Sequence, residues 1–595
     1  MKRSYIILFT LLSVVFFNCQ KETSADGFGD RPGSGTKDPI TATVQGNVID
    51  ENGAPASGVS VKVGNKMVQT DSKGSFRIIN ALLDKGASLV TAEKSGYFKS
   101  YRTFQAMDAA NHVKIKLVKR KLAGTISAAG GEVTLDNGSK VFLPANAVVK
   151  AAGGSYAGDV RVYAAYIDPS ANDIDAAVPG SFMADNSRGD RVVLASYGMM
   201  AVELESASSE KLQIADDKEA VLTMPIPASL QASAPASISL WYVNEETGIW
   251  KEEGKAERSG NTYTGRVKHF TFWNCDIGLP TVTLTLSLKN EKGLPLVHTG
   301  VRLKGMMNGA LTQAYGFTDS IGSISGLVLA GQTLTLEVVN DQCNNVVYTT
   351  TVGPFSSNTN IGTITISSVN TSIVAIKGKL ISCAAAPVIN GTAMITVGNS
   401  NYYVSTNQQG EFSMAYIKCG TSQQAVSITG IDNLGMQQGT AANFSIGTSP
   451  ELNAGNLVAC GISASQFLNY TVDGTNYQLN NLNASDSLTY YAFPTQQPSA
   501  GFVANISGFN MTSARTLFLS FFSPTQAAGT YPVNGLAVNQ FGGVSLISPT
   551  TVTVSGYPQV VGEFMEGSFT GSFRDSVGQG PVRTINGSFR LRRQQ

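Results

Sequence analysis

Along most of the chain, apolar and polar residues alternate with a period of two, the spacing that sets successive side chains on opposite faces of a strand. Val44-Gln45-Gly46-Asn47-Val48-Ile49-Asp50 and Val59-Ser60-Val61-Lys62-Val63 follow it, divided by the turn Glu51-Asn52-Gly53-Ala54-Pro55. Thr283-Leu284-Thr285-Leu286-Ser287-Leu288, Val301-Arg302-Leu303 and Ile376-Lys377-Gly378-Lys379-Leu380-Ile381 follow it again. No long stretch carries the three-and-four apolar spacing of an amphipathic helix. With a high Val, Thr, Ser and Ile content and 61 glycines, this predicts an all-β chain built as a tandem array of small β-sandwich domains.

One turn recurs in step with these strands. Thr70-Asp71-Ser72-Lys73-Gly74-Ser75-Phe76, Thr318-Asp319-Ser320-Ile321-Gly322-Ser323-Ile324 and Thr406-Asn407-Gln408-Gln409-Gly410-Glu411-Phe412 share it, with Asn for Asp in the third. The Asp or Asn side chain can accept from backbone N–H groups, and the glycine supplies a positive φ. The recurrence predicts an array of related modules. Cys343 and Cys419 each follow their turn, which points to a related strand position.

Between these repeats lie Gly130-Gly131-Glu132-Val133-Thr134-Leu135, Val141-Phe142-Leu143-Pro144-Ala145-Asn146-Ala147-Val148 and a tryptophan-rich close. Trp241 and Trp250 flank Asn244-Glu245-Glu246-Thr247-Gly248, which predicts a hairpin stabilised by an aromatic cross-strand pair. Read as a strand, the close puts Phe270 and Phe272 on one face and His269, Thr271 and Trp273 on the other. After Cys460 aromatics become frequent, among them Tyr490, Tyr491, Phe493, Phe509, Phe518, Phe521 and Phe522. Alternation sends most of them to a core.

The chain opens with Met1-Lys2-Arg3 and an apolar run from Tyr5 to Phe17, broken only by Thr10 and Ser13 and closed by Cys19. The run is shorter than the roughly 20 residues a membrane helix needs, so it reads as a secretory signal. It resembles a bacterial lipoprotein signal, in the looser form of Bacteroidetes-type bacteria, with Phe16-Phe17-Asn18 before the cysteine. The resemblance implies that Cys19 becomes the lipidated first residue of the mature protein. Cleavage at another position is the alternative. Gln20-Lys21-Glu22 resembles the export tag of surface lipoproteins in that phylum, and Thr23 to Ile40 has the composition of a flexible tether.

The turn pattern, followed by Lys94-Ser95-Gly96-Tyr97, resembles a carboxypeptidase regulatory-like domain. That implies a small transthyretin-like sandwich and no peptidase activity. The Gly130 and Val141 motifs resemble the ZU-five domain, and the tryptophan-rich close is similar to the related module of cartilage intermediate layer proteins. The aromatic C-terminal part resembles the terminal β-domain of Bacteroidetes-type lipoproteins. The expected organisation is a signal over 1–19, a tether over 20–40, and a regulatory-like sandwich over 41–119. A ZU-five-like sandwich over 120–279, sandwich repeats over 280–370 and 371–462, and a C-terminal β domain over 463–595 follow, five Ig-like or transthyretin-like domains in a row.

Charge narrows the partners. Lys+Arg 43 against Asp+Glu 42 gives a net charge of +1, with 14% charged residues. No basic field recommends nucleic acid. Apart from Cys19, the cysteines are Cys275, Cys343, Cys383, Cys419 and Cys460, with no C-x-x-C pair. Paired metal ligands are therefore not expected, and two of Cys383, Cys419 and Cys460 are the candidates for a disulfide. An odd number leaves at least one thiol free.

Two constellations are candidates for chemistry. In some ZU-five-type proteins a His-Phe-Ser sequence cleaves itself. By that resemblance His269 is a base and Thr271, in place of serine, a nucleophile that breaks the Phe270-Thr271 bond. The other reading makes both ordinary residues of a sheet face. Asp168, Asp173 and Asp175 offer oxygen ligands to calcium, which takes about six to eight, but without the EF-hand order. A solvated acidic turn is the alternative. With three histidines and no H-E-x-x-H, G-x-S-x-G, phosphate loop or dinucleotide fingerprint, no other enzyme template or cofactor is indicated.

The sequence thus predicts a non-catalytic, lipid-anchored envelope protein acting as a binding, adhesion or scaffold array. It is placed in the outer membrane facing the cell surface, or otherwise in the periplasm. Its partners are the membrane, through the anchor, and a glycan or protein ligand. The alternatives are a carbohydrate-binding lipoprotein of a nutrient-uptake system and a self-processing protein cleaved at Phe270-Thr271. Oligomeric state is not legible.

Overall fold

The computed structural model describes residues 38–593 except 65, 344, 368–372, 390, 421, 433–436, 464–465, 482–485, 496–499, 511–514, 540, 542–543, 559–563 and 576–579. The signal with Cys19 and most of the tether lie outside the described residues. Among those described, the regular secondary structure is almost entirely strand, and no helix is long and apolar enough to cross a membrane.

Three modules share one plan. In the first, Pro39–Ile49 lies between Ser75–Asp84, antiparallel to it, and Asn111–Lys116, parallel to it. Phe272–Asn290 stands in the same way between Ser323–Leu329 and Thr359–Ile366. Ile373–Ile381 stands so between Glu411–Ile417 and Glu451–Val458. A second sheet faces each group, for example Lys66–Gln69, Ser60–Val63, Ser88–Glu93 and Ser100–Phe104 in the first module. The alternating residues of the sequence fill the space between: Val44, Val48, Val61, Val63, Phe76 and Ile78 in the first, and Leu284, Leu286, Leu288, Val301 and Leu303 in the third.

The recurring turn explains why these modules are related. Thr70 Oγ1 donates to Ala56 O at 2.6 Å and accepts from Val59 N at 2.9 Å. Thr318 makes the same pair of bonds with Leu296 O and Thr299 N, and Thr406 with Val388 O and Gly391 N. The next residue then caps its own turn. Asp71 Oδ1 accepts from Lys73 and Ser75, Asp319 Oδ1 from Ile321 and Ser323, and Asn407 Oδ1 from Gln409 and Glu411. Gly74, Gly322 and Gly410 have φ of 69°, 82° and 76°, and a Cβ on each would lie 2.3, 2.6 and 2.7 Å from the carbonyl of Val48, Leu288 and Leu380. Only glycine satisfies both constraints.

The second and third modules are continuous. The 19-residue strand Phe272–Asn290 pairs first with Arg191–Ser206 and Ser237–Val243, then with the third module's strands. Leu279 and Pro280 sit inside it, and Pro280 uses its carbonyl, accepting from Ala330 N at 2.9 Å.

Two local expectations are corrected in the second module. The hairpin forms, but Trp250 opposes Val243 and Trp241 opposes Glu252, because the strands close on a loop over residues 244–249 and run in register from it. The two tryptophans meet in one core instead, with Phe98 and Tyr101 of the first module. Residues 268–271 break the strand with bends at 268, 269 and 271, and Phe270, Phe272 and Trp273 are all buried. The indole N–H of Trp273 donates back to His269 O at 3.0 Å, which fixes the bend.

The last module is a nine-stranded sheet in which every neighbouring pair is antiparallel, with Thr475–Asn480 at one edge and Asp486–Thr495 at the other. All nine strands contribute to one core, through residues such as Leu479, Tyr470, Ile506, Phe521, Phe573 and Phe589.

Candidate functional site

The first module touches the second, the third and the fourth, not only its neighbour in sequence. Tyr101 and Thr103 exchange backbone hydrogen bonds with Gly180 at 2.8 Å each, and Thr103 Oγ1 donates to Gly248 O at 3.0 Å. Gln105 Nε2 donates to Thr283 Oγ1, and Ser320 N to Ala110 O. Asn47 Nδ2 donates to Asn399 O, and the guanidinium of Arg77 lies 4.3 Å above the Tyr403 ring. Edges that would otherwise be solvated are thereby paired across modules.

Buried charges converge on this seam. Arg102, 6% exposed, donates to the main-chain carbonyls of Asp175 and Tyr315. Asp175 faces Arg302 Nε at 3.5 Å and accepts from Gln313 Nε2 at 2.9 Å, and Arg302 reaches Glu337 at 3.3 Å. Burial raises the Asp175 carboxyl above its usual range against the pull of the two guanidinium groups. Unpaired, such charges would be strongly destabilising, so the network ties three modules together.

The third and fourth modules are also joined covalently. Cys343 is bonded to Cys419 across the junction, with Cα atoms 5.7 Å apart, and Cys383 to Cys460 within the fourth module. Of the three candidate cysteines, two bond to each other and Cys419 takes a partner from outside the set. Among the described residues Cys275 is the free thiol, and burial pushes its pKa well up. Around the junction Asn340 Nδ2 donates to Ile417 O at 2.7 Å, Gln342 Nε2 to Tyr402 Oη at 3.0 Å, and Tyr416 Oη to Gln342 Oε1 at 3.0 Å.

The residues singled out for chemistry are placed as follows. Thr271 Oγ1 donates to Phe272 O at 3.0 Å. The His269 ring packs against Tyr242 and Trp273, and its Nε2 lies 3.7 Å from Glu253. Asp168 accepts from Ser170 N and Oγ, Asp173 pairs with Lys116 at 2.5 Å, and Asp175 belongs to the buried network. The structure does not gather the three carboxylates, and among the described residues no three of His, Cys, Asp or Glu group as metal ligands.

The last module adds an outward feature hidden in the sequence. Tyr491 and Phe493, 40% and 47% exposed, lie with ring centroids 6.2 Å apart and planes inclined by 23°. Cross-strand rows extend the face: Phe493, Val503 and Phe522; Tyr491, Asn505 and Ser520; Thr489, Ser507 and Phe518; Ser487, Phe509 and Thr516. Phe509 is 36% exposed. The alternate residues Tyr490, Ala504, Ile506, Leu519 and Phe521 point into the core. The outward rows carry aromatic rings and hydroxyls and no charge, and the one amide among them, Asn505, is buried.

No protein-family model matches the chain. It is 31% identical over 126 residues to cartilage intermediate layer protein 2 of Homo sapiens, covering 21% of this chain and 10% of that protein. It is 27% identical over 225 residues to cartilage intermediate layer protein 1 of Homo sapiens, covering 34% of this chain and 18% of that protein. The chain therefore spans less than a fifth of these relatives. Among solved structures, a minor pilin of Streptococcus agalactiae is 11% identical, with 30% of this chain and 96% of that one covered and a TM-score of 0.14. The TIE protein of Bacillus anthracis is 8% identical, with 79% and 71% covered and a TM-score of 0.13. What the structure defines is a class: an all-β protein of successive sandwich modules.

Proposed function

We propose that this chain is a non-catalytic protein of the cell envelope, anchored through a lipidated Cys19 to the outer membrane and facing outward, which holds binding or adhesion surfaces in fixed relation to one another. The observation that supports this reading is the seam. Buried ion pairs, shared cores, a continuous strand and the Cys343–Cys419 bond lock the first four modules together. A catalytic protein needs a reactive constellation; an array needs rigidity, because pre-set surfaces lose less entropy on binding. Cys19 and Lys21-Glu22 supply the anchor and export address. The test is metabolic labelling with a fatty acid. The wild-type chain should incorporate label and partition with the membrane, Cys19→Ser should do neither, and an unlabelled wild type would overturn the anchored reading.

The outward aromatic face favours a second reading, carbohydrate capture for nutrient uptake. Rings flanked by hydroxyls, without charge, match the apolar faces and hydroxyl edges of a neutral sugar.

A further inference from the structure

Along the edge formed by Ala310–Phe317 and Ser323–Leu329 the third sandwich does not close on itself, and the first and second modules cover it. Beneath them lies a cavity of about 130 Å³. Its apolar wall is Leu284, Leu286, Ile324 and Val328, with Phe182 from the second module. Gly326, which also lines it, is the cross-strand partner of Leu284, and a Cβ built there would meet no heavy atom within 4 Å. The space therefore extends from the position at which Gly326 carries no side chain.

The opposite wall is polar: Arg102, Gln105, Asp175, Gln313 and Asp319. Its formal charges, with those directly behind it, cancel. Arg102, Arg302 and Lys304 stand against Asp175, Glu337 and Asp319, with Lys304 paired to Glu337 at 2.9 Å and the Asp319 carboxylate held by the N–H groups of Ile321 and Ser323. A charged guest would disturb this balance in a buried setting, whereas a neutral guest would not. Size sets the other limit: an enclosed apolar space of about 150 Å³ takes up benzene.

We propose that the cavity is a binding site for a small neutral amphipath, an alcohol or amide whose apolar body is about the size of a benzene ring. Its apolar body would lie in the gap at Gly326 between Leu284 and Ile324, and its hydrogen-bonding end toward Gln105 and Gln313. Because the walls come from three modules, occupancy also ties them together. The site is independent of the anchor and of the outward aromatic face.

The probes are benzyl alcohol, benzoate and benzylamine, one ring carrying a neutral, an anionic or a cationic end, titrated against the purified full-length chain by saturation-transfer NMR. Benzyl alcohol should bind saturably, about tenfold or more tighter than either charged probe, and Gly326→Leu should abolish its binding. Circular dichroism checks that the variant is folded; if it is not, Ile324→Trp fills the same gap from the neighbouring inward position and is read in the same way. No saturable binding of benzyl alcohol, binding that survives the filled cavity in a folded variant, or equal binding of a charged probe would each overturn the proposal.

Discussion

His112 and His298 stack ring on ring, with centroids 4.4 Å apart and planes inclined by 23°. One belongs to the first module and the other to the third, and Tyr402 of the fourth extends the stack 5.3 Å beyond His298. Phe317 stands edge-on to His112, and Gln45 lies 2.5 Å from His298 Nε2. The charged neighbours are the Lys114–Asp341 pair beside His112 and Arg77 toward His298. Two of the chain's three histidines thus serve one joint between three modules.

That joint should be acid-labile. Burial pushes His112 down to about 4 and His298 well below its ordinary value, so both rings are neutral in the folded chain at pH 7. An unfolded histidine takes up its proton near pH ~6.5. Below that pH the unfolded chain binds more protons than the folded one, and stability falls until the folded pKa is passed. Calorimetry between pH 7.5 and 4.5 should show Tm falling with pH, and falling less in His112→Phe/His298→Phe, which keeps the rings but cannot titrate. An unchanged slope in the double variant would remove the histidines from the account.

The Cys343–Cys419 bond closes a sequence separation of 76 residues. Cys343→Ser/Cys419→Ser should therefore cost about 2–4 kcal/mol in denaturant unfolding. Limited proteolysis should cut that variant at the third–fourth junction before it cuts within the nine-stranded module.

Gly180 is required twice over. Its φ is 69°, and a Cβ would fall 1.9 Å from the carbonyl oxygen of Gly248. Gly180→Ala is expected to destabilise the chain by on the order of 2–4 kcal/mol and to raise hydrogen exchange at Thr103, whose N–H bonds to Gly180 O. Gly189→Ala is the control: its φ is 84°, but a Cβ there meets nothing within 4 Å. It should cost only about 1 kcal/mol.

Much of this was legible in the sequence, and the boundary has a physical origin. Thr70-Asp71, Thr318-Asp319 and Thr406-Asn407 act within a few residues of themselves, so the turns, and with them the related modules, can be read from spacing. The period of two likewise places Leu284, Leu286 and Leu288 in a core. Contacts between modules leave no such periodicity. Arg102 meets Asp175 across 73 residues, and His298 meets Gln45 across 253. Asp175 therefore reads as a loop carboxylate until the fold buries it, and Cys419 reads as a partner within its own module. Alternation also does not say which strands have an uncovered outer face, so Tyr491 and Phe493 were indistinguishable from core aromatics.

If that outer face takes sugars, Tyr491→Ala/Phe493→Ala should lose glycan-array signal by about tenfold or more, while Tm changes little because both rings are largely exposed. Binding to an array that is unaffected by the double variant would exclude the face.

The most direct test of an outward-facing anchored array is protease shaving of intact cells, followed by immunoblotting against the nine-stranded module, with a periplasmic protein as control. The account predicts that the chain is lost while the control survives. Persistence of the chain until the outer membrane is opened would contradict it, and would place its partners inside the envelope.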